Sequence, residues 1–165
     1  MKKIVKMIFC ISFVFYLFAL LIVLFLGSRG ASWSDLTMLE YIRYSSNIVP
    51  FKTINIYLKA MVDGSMNIDI PVKNLVGNVM LFLPMGIYLP IFFRKTNKAG
   101  IFFLSMMTML LIVEAIQLFT RRGSFDIDDF ILNILGALIG FGIMKTTYFQ
   151  KLCIANPKLK VFGKY

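Results

Sequence analysis

Four runs of apolar residues, each about as long as a membrane is thick, constrain this chain more than any other feature. A helix needs about 20 apolar residues to cross the hydrocarbon core of a bilayer. The stretches 4–26, 72–93, 100–119 and 127–148 meet that length. Backbone N–H and C=O groups find no water in hydrocarbon, so a span must satisfy them within itself, as a helix does. The expected fold class is an all-α membrane protein. It is a small bundle of four transmembrane helices, one domain over residues 1–165, with an outer loop over 28–71. The 59% hydrophobic content exceeds the usual 45–50% or so because of these runs.

The first run follows MKKIVK, which resembles the charged start of a signal peptide, but Met7 to Leu26 is longer than the usual ~7–15 residue apolar region. A retained anchor is expected, with Gly27–Ser32 as the alternative cleavage region. Lysine and arginine set the direction. With the N-terminus inside, eleven basic residues are cytoplasmic: Lys2, Lys3, Lys6, Arg94, Lys95, Lys98, Lys145, Lys151, Lys158, Lys160 and Lys164. Seven are outside: Arg29, Arg43, Lys52, Lys59, Lys73, Arg121 and Arg122. The expected placement is a multi-pass bacterial cell-membrane protein with both termini cytoplasmic.

The net charge of +10 is read as membrane-edge charge, not as a nucleic-acid footprint, because no basic run is interleaved with aromatics. Histidine is absent, which removes the commonest general base and metal ligand. Cys10 and Cys153 indicate neither a disulfide framework nor a thiolate metal site. In the outer loop, Ile54, Leu58, Met61 and Val62 recur at helical spacing, and Asp63-Gly64-Ser65 follows. A short interfacial helix ending in a turn is expected there.

Polar residues within the spans carry the functional expectation. Asn74 and Asn78 fall in the outer turns of the second span, Glu114 and Gln117 in those of the third, and Asp128, Asp129 and Asn133 in those of the fourth. These three helices place their carboxylates and amides at one depth. Within each helix the spacings form one stripe: Asn74 with Asn78, Glu114 with Gln117 and Arg121, and Asp126 with Asp129, Asn133, Gly136 and Gly140. Asp128 lies about 100° off the last stripe. Gly136-x-x-x-Gly140 permits close approach of another helix.

A charged residue at mid-span costs about 2.5–3.5 kcal/mol, so Asp128 and Asp129 together would cost roughly 5–7 kcal/mol there. The leucine, isoleucine and phenylalanine residues between Ile127 and Ile143 contribute only about 3–6 kcal/mol on the same scale. The acids must therefore lie near the edge, or be paired, protonated or bound to a cation. Glu114 is deepest, about 7–8 Å along the helix from Phe119. A purely structural reading stays open. Asp126 would be a helix cap, Arg121 and Arg122 would pair with the acids, and Asn74, Asn78 and Gln117 would link helices. Pro84 and Pro90 are expected to kink or loosen the second span, as packing geometry or, alternatively, to widen a cavity.

Several blocks in order resemble a known family. They are Asn47-x-x-Pro50-Phe51, Asn74-x-x-Gly77-Asn78 followed by Phe82-x-Pro84-x-Gly86, Glu114-x-x-Gln117, Arg122-Gly123-Ser124-Phe125-Asp126-x-Asp128-Asp129, and Asn133-x-x-Gly136. The chain resembles VanZ-like membrane proteins over residues 47–145. The resemblance implies a protein of the bacterial cell envelope, with a link to resistance against teicoplanin, a lipid-tailed glycopeptide. It implies no particular reaction.

Two functions fit the inventory. The first is a binding protein that takes a membrane lipid or lipid-linked envelope molecule at the outer leaflet. Its binding residues would be Asn74, Asn78, Glu114, Gln117, Arg121, Arg122, Asp126, Asp128, Asp129 and Asn133, with the two arginines attracting phosphate. No cofactor is required, and carboxylate and amide oxygens would accept a divalent cation such as Mg²⁺ or Ca²⁺. The alternative is an intramembrane enzyme acting on a lipid-linked precursor. It would use Glu114 or Asp129 as catalytic carboxylate, or a metal. A transporter would need more spans than four, or a homo-oligomer.

Overall fold

The structure, a computed structural model, describes residues 2–26, 36–147 and 149. The alternative cleavage region Gly27–Ser32, Asp35, Cys153 and the basic residues Arg29, Lys151, Lys158, Lys160 and Lys164 lie outside the described residues. Six α-helices are described. They are α1 (Lys2–Leu21), which continues as a π-helical turn over Ile22–Leu26, α2 (Met38–Ser45), α3 (Lys52–Asp63), α4 (Asp69–Phe92), α5 (Ala99–Phe119) and α6 (Ile127–Lys145). A 3₁₀ turn, Arg94–Asn97, joins α4 to α5. Two short strands, β1 (Ser46–Asn47) and β2 (Phe125–Asp126), pair in parallel, Ser46 with Phe125 and Asn47 with Asp126.

Four helices are long and apolar enough to cross a membrane: Met7–Leu26, Asp69–Phe92, Ala99–Phe119 and Ile127–Lys145. At 1.5 Å per residue they are about 29–36 Å long, the thickness of the hydrocarbon core. The chain is thus an all-α, multi-pass membrane protein, as the apolar runs require. The second span starts earlier than the hydropathy suggests. Asn67 accepts from the Asp69 N–H at 3.1 Å and Ile68 O accepts from the Val72 N–H at 3.1 Å, drawing the polar turn before the apolar run into the helix. The fourth ends at Lys145, because Thr146 turns to an extended backbone.

The tightest packing joins α4 to α6. A Cβ on Gly136 would overlap the carbonyl oxygen of Val79, one on Gly140 that of Leu83, and one on Gly86 that of Ala137. Glycine is required at these crossings because backbone meets backbone. Contacting positions rise together along the two helices, from Asn78 with Asp129 to Gly86 with Phe141. The helices therefore run parallel, and α5 returns between them in sequence. Phe82, Met85, Phe102, Met106, Leu110, Ile134 and Ala137 form the buried core. Helix α4 runs unbroken through Pro84 and Pro90.

From residue 36 onward, the long loop holds more regular structure than its apolar pattern suggests. Helix α2 begins with a capping box: the Glu40 N–H donates to the Thr37 hydroxyl at 3.4 Å, and Glu40 accepts from the Thr37 backbone N–H at 2.9 Å. The Thr37 hydroxyl, which also donates to Glu40, and then the Thr37 backbone hold the Glu40 carboxyl below its usual range. Helix α3 covers the expected interfacial segment and starts two residues earlier, at Lys52. It ends at Gly64, whose left-handed φ of 68° lets its N–H close on Ala60 O at 3.1 Å. The β1–β2 pair ties this loop to the α5–α6 hairpin, so both lie at one end of the bundle, the loop end.

Candidate functional site

Three aspartates at the start of α6 have three different uses. Asp126 is the N-cap: its Oδ1 accepts from the Asp128 N–H at 2.9 Å and from Asn47 Nδ2 at 3.0 Å. Its Oδ2 accepts from the Thr53 hydroxyl at 2.6 Å. Asp128 is fully buried and caps a different helix. Its carboxyl oxygens accept from the backbone N–H groups of Phe51 at 2.5 Å, Thr53 at 2.7 Å and Ile54 at 3.1 Å. The first N–H groups of a helix have no partner within it, and an acid there also meets the positive end of the helix dipole. Asp129, half-buried, accepts from Asn78 Nδ2 at 2.5 Å and so bridges α6 to α4.

A second set fastens the end of α1. Gln117, almost fully buried, donates from Nε2 to Leu24 O at 2.8 Å, and Arg122 donates to Phe25 O at 3.1 Å. These carbonyls belong to the π-helical turn, where helical partners run out. Arg121 closes α5 with a left-handed φ of 53°, which lets the Arg122 N–H reach Gln117 O at 2.9 Å. Its guanidinium lies over the Tyr41 ring at 5.6 Å, and Tyr41 donates its hydroxyl to Gly123 O. Glu114 is buried within the helices at 5% exposure, and Asn133 is buried one turn below Asp129 at 4%.

Between the loop and the spans lies a cavity of about 660 Å³, within the ~300–1,000 Å³ range of small-molecule sites. Helix α4 contributes Lys73, Asn74, Gly77, Asn78 and Leu81 to its wall, and α1 contributes Val23. The loop helices contribute Tyr41, Tyr44, Lys52, Thr53 and Tyr57, and the hairpin with α6 contributes Ser124, Asp126 and Asp129. Two lysines and two aspartates thus share one polar chamber. The Tyr57 hydroxyl is pushed above its ordinary pKa by burial, then by the charges of Asp129 and Asp126. It therefore stays protonated at neutral pH and can donate a hydrogen bond.

The predicted residues therefore fall into two groups. Asn74, Asn78, Asp126 and Asp129 line the cavity. Glu114, Gln117, Asn133, Asp128, Arg121 and Arg122 are not among its lining residues. Gln117, Arg122 and Asp128 have their donors or acceptors on backbone groups of other elements. Asp128 turns to the start of α3, off the Asp129 stripe, and α5 presents Gln117 to the end of α1. Among the described residues, no three His, Cys, Asp or Glu side chains are grouped to hold a metal ion.

The cavity also uses residues that the polar-stripe argument passed over. Lys52 and Lys73 oppose the charge bias as much as Arg121 and Arg122 do, and that signal was readable. Thr37-x-x-Glu40 is a capping signature before a helix and would have located α2, which carries Tyr41 and Tyr44. Tyr57 carried no such signal.

A family model described as VanZ/LLP1 matches residues 13–149 of the chain. No curated protein and no solved structure matches it.

Proposed function

Because the chain belongs to the VanZ/LLP1 family, we propose that this envelope membrane protein binds the anionic headgroup of a lipid or lipid-linked molecule. The loop end faces outward, by the excess of Lys and Arg at the other end, and both termini are cytoplasmic. The observation that carries this reading is the polar cavity at the loop ends of the spans, with Lys52 and Lys73 on its wall. Ammonium groups attract phosphate, and both lysines are exposed at the cavity wall. Asn74, Asn78 and the Tyr57 hydroxyl supply donors for phosphate or sugar oxygens. Asp126 and Asp129 supply acceptors for hydroxyl or amino groups on the same headgroup.

Arg121 and Arg122 take a positioning role here. They hold Tyr41 and the end of α1 around the chamber, and the lysines meet the phosphate. Occupying or withdrawing such lipids at the outer leaflet would change the surface on which a lipid-tailed glycopeptide such as teicoplanin anchors, and so lower susceptibility to it. Bound Mg²⁺ or Ca²⁺ is not needed for this role. Glu114 is not among the residues that line the cavity, so the cavity gives no support to catalysis by it.

The test is native mass spectrometry of gently purified protein. Wild type is expected to retain anionic lipid, and Lys52→Gln with Lys73→Gln to retain roughly tenfold less, a change of about 1.4 kcal/mol. Equal retention by both proteins would refute the reading.

A further inference from the structure

Helix α1 does not follow α4 along its whole length. Towards the tail end the two are in contact through aromatic rings: Phe13 stacks on Phe92 at 4.8 Å, and Tyr16 lies 5.6 Å from Tyr88. Tyr88 donates to Ser12 Oγ at 3.0 Å, and Tyr16 donates to Leu81 O at 2.9 Å. At the loop end the partners change. Leu24 O and Phe25 O are held by Gln117 and Arg122, at the end of α5. Helix α1 therefore starts against α4 and finishes against α5, and between its end and α4 lies a wedge-shaped part of the cavity, with Val23 on one side and Gly77 and Leu81 on the other.

The wedge is apolar and continuous with the chamber. Val23 of α1 and Gly77 and Leu81 of α4 all line the cavity. Gly77 is exposed, and a Cβ added there would meet nothing within 4 Å. It lies on the helix face that carries Asn74 and Leu81 (i−3 and i+4).

We propose that this wedge is a lateral portal, in which one hydrocarbon chain of the bound lipid lies against Val23, Gly77 and Leu81 while its anionic headgroup sits by Lys52 and Lys73. The inference rests on the headgroup reading above and adds how the ligand arrives: sideways from the leaflet, not from water. Lys73 and Asn74 lie about one turn towards the loop end from Gly77, and Leu81 lies one turn towards the tail end. A chain buried there gains about 25 cal/mol per Å² of apolar surface only relative to water. Relative to lipid it gains little, so the portal positions a membrane lipid and the chamber selects it.

The experiment uses the full chain in phosphatidylcholine vesicles doped with phosphatidylglycerol carrying a photoreactive group on one acyl chain. Crosslinks are expected on peptides containing Val23, Gly77 or Leu81. Gly77→Trp fills the wedge, and is expected to leave thermal stability unchanged and reduce crosslinking roughly tenfold, about 1.4 kcal/mol. Gly142→Trp, on the far half of α6 and equally open, is expected to crosslink as wild type does. Crosslinking undiminished in Gly77→Trp, with loss in the Lys52→Gln, Lys73→Gln protein, would overturn the portal and leave the headgroup reading standing. Crosslinking undiminished in all variants would overturn both.

Discussion

Asp128 and Asp129 are neighbours in the chain, yet about 100° apart around α6, and that angle separates a structural acid from a cavity acid. Asp128 accepts three backbone N–H groups at the start of α3. Asp128→Ala leaves these buried donors unmet, and unfolding is expected to become easier by about 1–3 kcal/mol. Hydrogen exchange should speed up at the amides of Phe51, Thr53 and Ile54 while lipid retention per folded molecule is preserved. Asp129→Asn should act the other way, with little loss of stability and weaker retention.

Tyr57 gives a pH signature at the same scale. Burial, then Asp129 and Asp126, raises its pKa above the ordinary value of 10.0. A raised phenol pKa means that the folded state resists ionisation. Its contribution is intact below pH ~10 and is lost as pH rises from there through the folded value. Ultraviolet titration is expected to lose one late-ionising tyrosine in Tyr57→Phe, and to move one towards the ordinary value in Asp129→Asn. An unchanged titration in Asp129→Asn would show that Tyr57 is not near that carboxylate.

At the scale of elements, the parallel contact of α4 and α6 sets the site, because it brings Asn78 level with Asp129. Gly136→Ala places a methyl group onto the Val79 carbonyl, and overpacking of this kind costs about 1–3 kcal/mol. The helices must part, so both thermal stability and lipid retention should fall in Gly136→Ala. Gly142→Ala meets nothing within 4 Å and should leave both unchanged. Equal stability of the two variants would mean that the helices are not in backbone contact.

For the whole molecule, the unequal distribution of Lys and Arg predicts orientation. In a protein with Cys10 and Cys153 replaced by Ser, Ser65→Cys at the loop end should react with a membrane-impermeant maleimide in intact cells. Lys98→Cys, in the turn before α5, should react only after permeabilisation. The reverse pattern would turn the cavity towards the cytoplasm and remove the link to an externally acting antibiotic.

Span number, approximate span limits and the helical class were legible in the amino-acid order, because membrane insertion depends on local hydrophobicity and each helix satisfies its own backbone. Local chemistry also reached the turn at Gly64 and the cap at Asp126, since those bonds are made within a few residues. Which polar side chains share a chamber was not legible. That depends on α4 lying parallel to α6, on α1 leaving α4 for the end of α5, and on β1 pairing with β2. Each of these joins residues from about 50 to nearly 100 positions apart. Helical periodicity gives a side chain's depth and face but not the neighbour it meets, and only packing in three dimensions set Gln117 against Leu24 and Asn78 against Asp129.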